Sequence, residues 1–455
     1  MPFEGYEAAP HPLPLARSQR ADGGVNAGGD RENTLKSILS AHPPEALTHK
    51  ASMASSKTPL PTRIGAWISL SDLDAGRRSQ RLAALHALES GLRTDGWVRV
   101  AWTGGGTTDR LYAAAKALLD HPARERYQQS VLHGVEGSPL GLTYYAIGDE
   151  PLYQASTKRQ RVRSLNMHEE RTPEECDARA MAYVAGSYDA EERALAHAFH
   201  AWPSDPDVAE LRSAAAAFRC ALTDEVAAPL RRAFGALLGL DADYLCSRCR
   251  GLRSDNTSLL RVLEYPPAHL DGEVHDEIDE TETMGVSEHT DFELFSLLHE
   301  QARGLQLCDP SGVWHEPAPS DGGGAWVVIV GDMYARLSGG FCAATPHRVP
   351  PTVPRAAAPR HSMVFFQGLD EHEPVVPVLP SVARRSPTGG YRRWEEAGGA
   401  GGGQRPAGHE AIPTFPTDAV PITQREWTEW KEQAARERLK LAAQPSTPTM
   451  GPTTS

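Results

Sequence analysis

Cysteine is scarce, with six in 455 residues. That density excludes a disulfide framework and makes a reducing, cytoplasmic compartment the expected location. Aromatic residues reach only 7% and apolar residues 40%, beside 40 glycines and 36 prolines. Part of the chain is therefore expected to stay outside any packed core. Positive charge is in deficit: Lys and Arg total 46, Asp and Glu total 59, and the net charge is −13. No general basic face is available to displace counterions, so neither nucleic acid nor an anionic membrane is an expected partner. No run approaches the roughly 18 apolar residues that cross a bilayer. The opening Met1-Pro2-Phe3-Glu4-Gly5-Tyr6-Glu7 lacks a basic segment followed by an apolar one, so no secretory leader is expected. Glu4 and Glu7 count against a transit peptide, despite Arg17 and Arg20.

The texture of the chain divides it. Residues 1–62 are rich in Ala, Pro, Gly, Ser and charge with little apolar periodicity, and read as a disordered tail. Residues 63–165 begin with an α/β pattern. Ile64, Trp67, Ile68 and Leu70 form a strand-like run, and Leu82, Leu85, Leu88 and Leu92 a helical face stopped by Gly96. Trp97–Trp102 reads as a strand and Thr108–Leu119 as a second helix. Residues 120–205 are weakly patterned. Residues 206–380 read as the core. Val208, Leu211, Ala215, Phe218, Leu222, Val226, Leu230, Phe234 and Leu237 step by three or four through one long bracing helix. Pro229 should kink it and Gly239 end it.

Beyond that helix the period changes. Leu259–Tyr265, Phe292–Leu298, Gly304–Leu307, Val313–His315, Trp326–Val330, Ala343–Val349 and His361–Phe366 read as short strands between Gly, Pro, Asp and Ser clusters. That spacing predicts a sandwich or barrel, and a jelly roll fits the count. Residues 381–455 read as a flexible linker, including Gly398–Gly403, followed by a helix to about Ala443. Thr423 and Glu426 make a capping box for that helix, Ile422 and Trp427 a hydrophobic staple, and Trp427, Trp430 and Ala434 one side. Docking on the globular body is its expected role, and binding a partner the alternative.

The chemistry concentrates in Ser287-Glu288-His289-Thr290-Asp291-Phe292. On a strand, positions two apart face the same way, so His289 and Asp291 would aim an imidazole and a carboxylate at one point. His347, in Ala344-Thr345-Pro346-His347-Arg348-Val349, lies 56 residues after Asp291, far enough for strands to leave and return. Two imidazoles and one carboxylate on one face of an ion form the facial triad of non-haem Fe(II) oxygenases, which leaves positions open for a co-substrate and O₂. Alone, a His-x-Asp is more commonly a surface pair. A further element is Arg360-His361-Ser362, where Arg360 and Ser362 share a strand face. A guanidinium fork with a neighbouring hydroxyl can bind a carboxylate, and a buried Arg calls for an anion.

These stretches, with Gly304-Leu305-Gln306-Leu307, Trp314 and Val327–Met333 between them, resemble the isopenicillin N synthase-like branch of the Fe(II)/2-oxoglutarate-dependent dioxygenases. The likeness is strong over residues 257–370 and weaker over 63–165. It implies a mainly β fold with α: a double-stranded β-helix (jelly roll) core braced by a long helix, with an N-terminal α/β region. It implies Fe(II) held by His289, Asp291 and His347. It further implies 2-oxoglutarate held through its distal carboxylate by Arg360 and Ser362, and O₂ as co-substrate. Tyr265, in Leu263-Glu264-Tyr265-Pro266-Pro267, matches a family tyrosine that can contact the same carboxylate, although Leu263-Glu264 replaces the Asn-Tyr that often precedes it. The substrate would be a small organic molecule, hydroxylated or desaturated. The alternatives are an isopenicillin N synthase-like oxidase that does not use 2-oxoglutarate, and a non-catalytic jelly roll that holds a metal such as Zn(II). The sequence assigns no oligomeric state.

Other features point elsewhere. Residues 271–282 hold seven acids, a departure from the family pattern beside the metal motif, read as a solvated loop. A lid, or a cation site using His269 or His275, is the sharper reading. Cys246-Ser247-Arg248-Cys249 lacks the second pair a zinc ribbon needs, and both thiols read as structural. Gly104–Gly106 and Gly322–Gly324 read as turns without the Lys-Ser/Thr ending of a phosphate loop.

Overall fold

The computed structural model of the protein describes residues 60–74, 76–128, 140–149, 159–183, 190–249, 258–267, 283–317, 324–350, 358–370, 374–377, 422–425, 427–428 and 431. The chain divides into two units, residues 1–53 and 54–455, and every described residue belongs to the second. The expected tail up to residue 59, the acidic insert and the glycine linker lie outside the described residues.

In chain order the strands are β1 (Thr62–Arg63), β2 (Ala66–Ile68), β3 (Trp97–Ala101), β4 (Leu142–Tyr145), β5 (Arg159–Gln160), β6 (Arg163–Met167) and β7 (Ser258–Tyr265). Then follow β8 (Thr283–Met284), β9 (Val286–His289), β10 (Phe295–Glu300), β11 (Gln306–Cys308), β12 (Trp314–Pro317) and β13 (Ala325–Val330). The last are β14 (His347–Val349), β15 (Arg360–Gln367), β16 (Pro374–Val375) and β17 (Ile422–Thr423). Eight of them form one sheet in the order β2-β3-β13-β10-β15-β7-β6-β4, and five form a second in the order β1-β12-β11-β14-β9. Side chains from both sheets meet in one apolar layer. Leu263, Leu298, Ile329 and Val364 come from the larger sheet, and Leu307 and Val349 from the smaller. This is the expected jelly roll, two facing sheets with a core between them.

The other face of the larger sheet is covered by helices. Period-two alternation sorts the strands cleanly. On β15, Met363 and Phe365 join the helix-side core with Leu260 and Val262 of β7 and Trp326 and Val328 of β13. The bracing helix supplies the facing side chains Phe218, Leu222, Val226, Leu230, Phe234 and Leu237, none of them measurably exposed. Phe234 packs on Phe295 at 4.9 Å and edge-on to Tyr334 at 4.6 Å between ring centroids. Pro229 does not break this helix. Residues 209–222 and 228–237 are α-helical and a π turn over Thr223–Ala227 joins them. Pro229 donates no backbone hydrogen bond and its ring crowds the carbonyl four residues back, and a wider turn relieves both.

The N-terminal elements fall close to expectation. A helix runs from Arg78 to Thr94 and another from Thr107 to Asp120. Gly96 follows the first at φ +86, a conformation that side chains rarely adopt. Thr62 already pairs with Glu316, so strand pairing begins inside the expected tail. Leu70 opens a short helix, Leu70–Leu73, rather than extending a strand. The weakly patterned stretch contributes β4 and β6, which continue the larger sheet past residue 165.

Three strand expectations are corrected. Strand β10 starts at Phe295, not Phe292; β14 covers only His347–Val349; and the strand expected through His289 and Asp291, β9, ends at His289. The helix Asp332–Leu337 has no counterpart in the sequence reading. Residues 291–294 leave the sheet because they serve that helix. Asp332 N donates to the Asp291 carbonyl at 2.9 Å and Met333 N to the Glu293 carbonyl at 3.1 Å. A helix start has amides with no partner of their own, and the loop satisfies them. Among the described residues no helix is long and apolar enough to cross a membrane.

Candidate metal centre and its pocket

Strands β9 and β14 are neighbours, with His289 directly opposite His347. Their imidazoles sit 4.1 Å apart. Asp291 is not on a strand, contrary to the expectation from alternation. It lies in the bend just past β9, and the loop's bonds to the Asp332–Leu337 helix carry its carboxylate back to the same point. His289 Nε2 and His347 Nε2 each lie 3.6 Å from Asp291 Oδ1. One donor atom from each of the three falls within 4.8 Å of the others.

The surroundings orient these atoms. His289 Nδ1 lies 2.8 Å from the Ser287 carbonyl and His347 Nδ1 3.2 Å from the Thr345 carbonyl. With Nδ1–H donating there, each Nε2 lone pair points at the shared focus. Burial, and then the nearby His347, hold the His289 pKa well below the ordinary imidazole value, so the neutral, donor form prevails. The Ser296 hydroxyl donates to Asp291 Oδ2, which leaves Oδ1 turned to the imidazoles. Two imidazole nitrogens and one carboxylate oxygen on one side suit a divalent ion with open positions opposite, and the donor set matches non-haem Fe(II).

A pocket opens from this focus between the sheets. Its lining includes His289, Asp291, His347, Tyr265, Ser362, Glu300, Arg261, Arg348 and Gln160, with apolar walls from Leu263, Leu298, Leu305, Val364 and Phe366. Ser362 Oγ donates to Tyr265 Oη at 3.4 Å. Arg360 lies directly opposite Tyr265 in the β15–β7 register. Its side chain is 9% exposed, with its guanidinium carbon 3.8 Å over the Tyr265 ring. Its Nη1 donates to Glu300 at 2.7 Å, while Nη2 is buried with no partner. A buried cationic donor left unmade is costly, and a site that keeps one is shaped for an anion. His361 points the other way, to Glu264 at 2.9 Å, as strand alternation requires.

Several residues at the site went unread in the sequence. Glu300 follows Ser296 and Leu298 on the inner face of β10, and alternation alone was enough to find it. Arg261 and Arg348 also face the pocket. Arg261 donates to Asn166 Oδ1 at 2.7 Å and Arg348 to Gln306 Oε1 at 2.9 Å. Lys431 had no local signal. It donates to the Thr290 carbonyl at 3.2 Å and to Asp332 Oδ2 at 2.7 Å, and lies 4.4 Å over the Phe292 ring. Trp427 Nε1 donates to the same Asp332 oxygen at 3.0 Å. The described part of the C-terminal helix (Gln424, Arg425, Trp427, Thr428 and Lys431) thus docks on the loop that carries Asp291, as the docking expectation had it. Glu426, Trp430 and Ala434 of the expected cap and stripe lie outside the described residues. Cys246 lies in, and Cys249 just past, a short helix, Tyr244–Arg248.

Comparison with known proteins places this geometry. Residues 256–368 match the family model of the 2OG-Fe(II) oxygenase superfamily, a span that holds the three converging donors, Tyr265, Glu300, Arg360 and Ser362. A 2-oxoglutarate-Fe(II) type oxidoreductase, hxnY of Emericella nidulans, is 30% identical over 40% of this chain and 48% of its own. Gibberellin 2-beta-dioxygenase 3 of Arabidopsis thaliana is 31% identical over 27% of this chain and 34% of its own. The chain thus spans less than half the length of these curated relatives. A full-length Neurospora crassa protein, crystallised in complex with alpha-KG, superposes with a TM-score of 0.55 at 18% identity, over 82% of this chain and 99% of that one. A Caulobacter crescentus protein assigned to the 2OG-Fe(II) oxygenase family gives 0.55 at 20%, over 83% and 99%. At those identities the structural likeness speaks for the fold. The family match itself covers residues 256–368, and the chain shares its fold with those two solved structures.

Proposed function

We propose that this chain is an Fe(II)- and 2-oxoglutarate-dependent oxygenase that oxidises a small organic molecule, with release of succinate and CO₂. The observation that carries the reading is a single pocket lined by the His-Asp-His focus and by Tyr265 and Ser362, with the buried Arg360 guanidinium and its unpartnered nitrogen against the Tyr265 ring. His289 Nε2, Asp291 Oδ1 and His347 Nε2 would hold the metal. Arg360, Ser362 and Tyr265 would take the distal carboxylate of 2-oxoglutarate. The ferrous ion, when bound, supplies activation of O₂ coupled to oxidative decarboxylation of the co-substrate. The protein's own part is positioning. The Nδ1–carbonyl contacts keep the imidazoles turned, the Ser296 bond keeps Asp291 turned, and Leu263, Leu298 and Val364 keep bulk water off the focus.

The motif order favours the isopenicillin N synthase-like branch. The buried, incompletely bonded Arg360 beside Tyr265 and Ser362 favours use of 2-oxoglutarate over the branch's alternative without it. The test is a succinate assay. Protein loaded with Fe(II) under argon and given 2-oxoglutarate should release succinate when O₂ is admitted, faster with the right substrate present. Asp291→Ala should bind no stoichiometric Fe(II) and release none. Iron-loaded, folded wild type that binds 2-oxoglutarate but never yields succinate would refute the oxygenase reading.

A further inference from the structure

The Arg360 guanidinium is held on three sides. Tyr265 covers one face at 3.8 Å. Gly304 covers the other so closely that a Cβ there would lie 2.6 Å from the guanidinium carbon, so only glycine fits without moving it. One edge is taken by Glu300, whose Oε1 accepts from Arg360 Nη1 at 2.7 Å and from Leu305 N at 2.8 Å. Nη2 is buried without a partner. A carboxylate bound at Nε and Nη2 would share the guanidinium's single charge with the acid already held at Nη1.

We propose that Glu300 competes with the distal carboxylate of 2-oxoglutarate for Arg360, and so sets how tightly the co-substrate binds. The inference rests on the oxygenase reading above and assigns a residue that the reading does not need. Two carboxylates on one largely buried guanidinium repel, and a proton on one of them relieves the repulsion. The charged and titratable groups facing Glu300 are Arg360 on β15, Tyr265 on β7, Tyr112 from the Thr107–Asp120 helix and Glu316 on β12. Burial raises the Glu300 carboxyl more than Arg360 lowers it, to about 7. Near neutrality, then, the side chain is able to take a proton from solvent as 2-oxoglutarate enters. Below that range Glu300 is neutral and Arg360 is left to the co-substrate. Above it the two acids compete.

The experiment is calorimetric titration of 2-oxoglutarate into the Fe(II)-loaded full chain under argon. Wild type and Glu300→Gln are compared at about pH 6 and about pH 8.5, in buffers of different ionisation heat. Glutamine keeps an oxygen for Arg360 and Leu305 but no charge. Wild-type affinity should fall by about tenfold across that range, with uptake of about one proton per 2-oxoglutarate at the upper end. Glu300→Gln should bind about tenfold tighter than wild type at the upper pH, with little pH dependence and no proton uptake. Weaker binding by Glu300→Gln at the upper pH, or wild-type binding that ignores pH and takes up no proton, would overturn the inference and leave the oxygenase reading standing. No binding of 2-oxoglutarate by metal-loaded wild type would overturn both. Should the variant not fold, the wild-type pH dependence and proton uptake decide the matter alone.

Discussion

The two faces of the eight-stranded sheet treat buried polar groups differently. On the helix side nearly every side chain is hydrocarbon, and the polar exceptions close on one another. Glu264 accepts from Arg163 at 2.8 Å and pairs with His361 at 2.9 Å. Burial pushes the Glu264 carboxyl up, but those two partners outweigh it and hold the pKa below the ordinary value. On the cavity side the same strands carry Tyr265, Ser362 and Arg360, and there the network stays open: Arg360 Nη2 has nothing to bond, and three metal-type donors face one another without a bond between them. The helix face is a finished interior. The cavity face is finished only by something that binds. One strand, β15, carries both by alternating residues.

That contrast can be broken from either side. The largest expected effect on function comes from the cavity face. His347→Ala should abolish succinate release by more than about a thousandfold, because three protein ligands are the minimum for the triad. Its melting temperature without metal should stay close to wild type, and a collapse of the fold would contradict the division of labour. From the helix face, Phe365→Ala should cost about 3–5 kcal/mol of stability in denaturant unfolding, since the ring is wholly buried against Arg219 and the bracing helix. The surviving folded fraction should keep its affinity for 2-oxoglutarate. Arg360→Ala should weaken 2-oxoglutarate binding by about 2–5 kcal/mol while Fe(II) affinity changes little, which titration of each ligand separately would check.

A smaller effect is expected at the C-terminal clamp. Lys431→Met leaves Asp332 with Trp427 as its remaining partner and frees the Thr290 carbonyl. It should lower Fe(II) affinity several-fold, with Lys431→Arg restoring most of it. Smallest of all, Arg110→Ala breaks an exposed pair with Glu210 and should leave both the melting temperature and turnover unchanged.

The site was legible along the chain only in part. His289, Asp291 and His347 stood out because metal chemistry limits which residue types serve, and because the intervening strands had clear period-two patterns. Yet Asp291 does not sit on the strand that alternation gave it. Its position depends on amides of the Asp332–Leu337 helix, far downstream, and no local pattern records that bond. Pro229 shows a similar limit: a proline predicts a disturbed helix, and the structure shows that the disturbance takes the form of a π turn over Thr223–Ala227. From the sequence, Arg360 reads as an anion binder if it is buried. The structure buries it, and the glycine at 304 that makes room is 56 residues away.

Alternation along β7, β10 and β15 follows from the order of side chains alone, because backbone geometry sends successive residues to opposite faces whatever else the chain does. So does the apolar stripe of the bracing helix, which needs only its own period. Which acid stands beside which cation could not be settled that way. Glu300 against Arg360, Lys431 against Asp332 and the His347 imidazole against Asp291 are meetings of residues 56 to 99 positions apart, and they exist only once the sheets have closed. Coulomb and hydrogen-bond energies depend on distances through space, and a linear chain does not contain those distances.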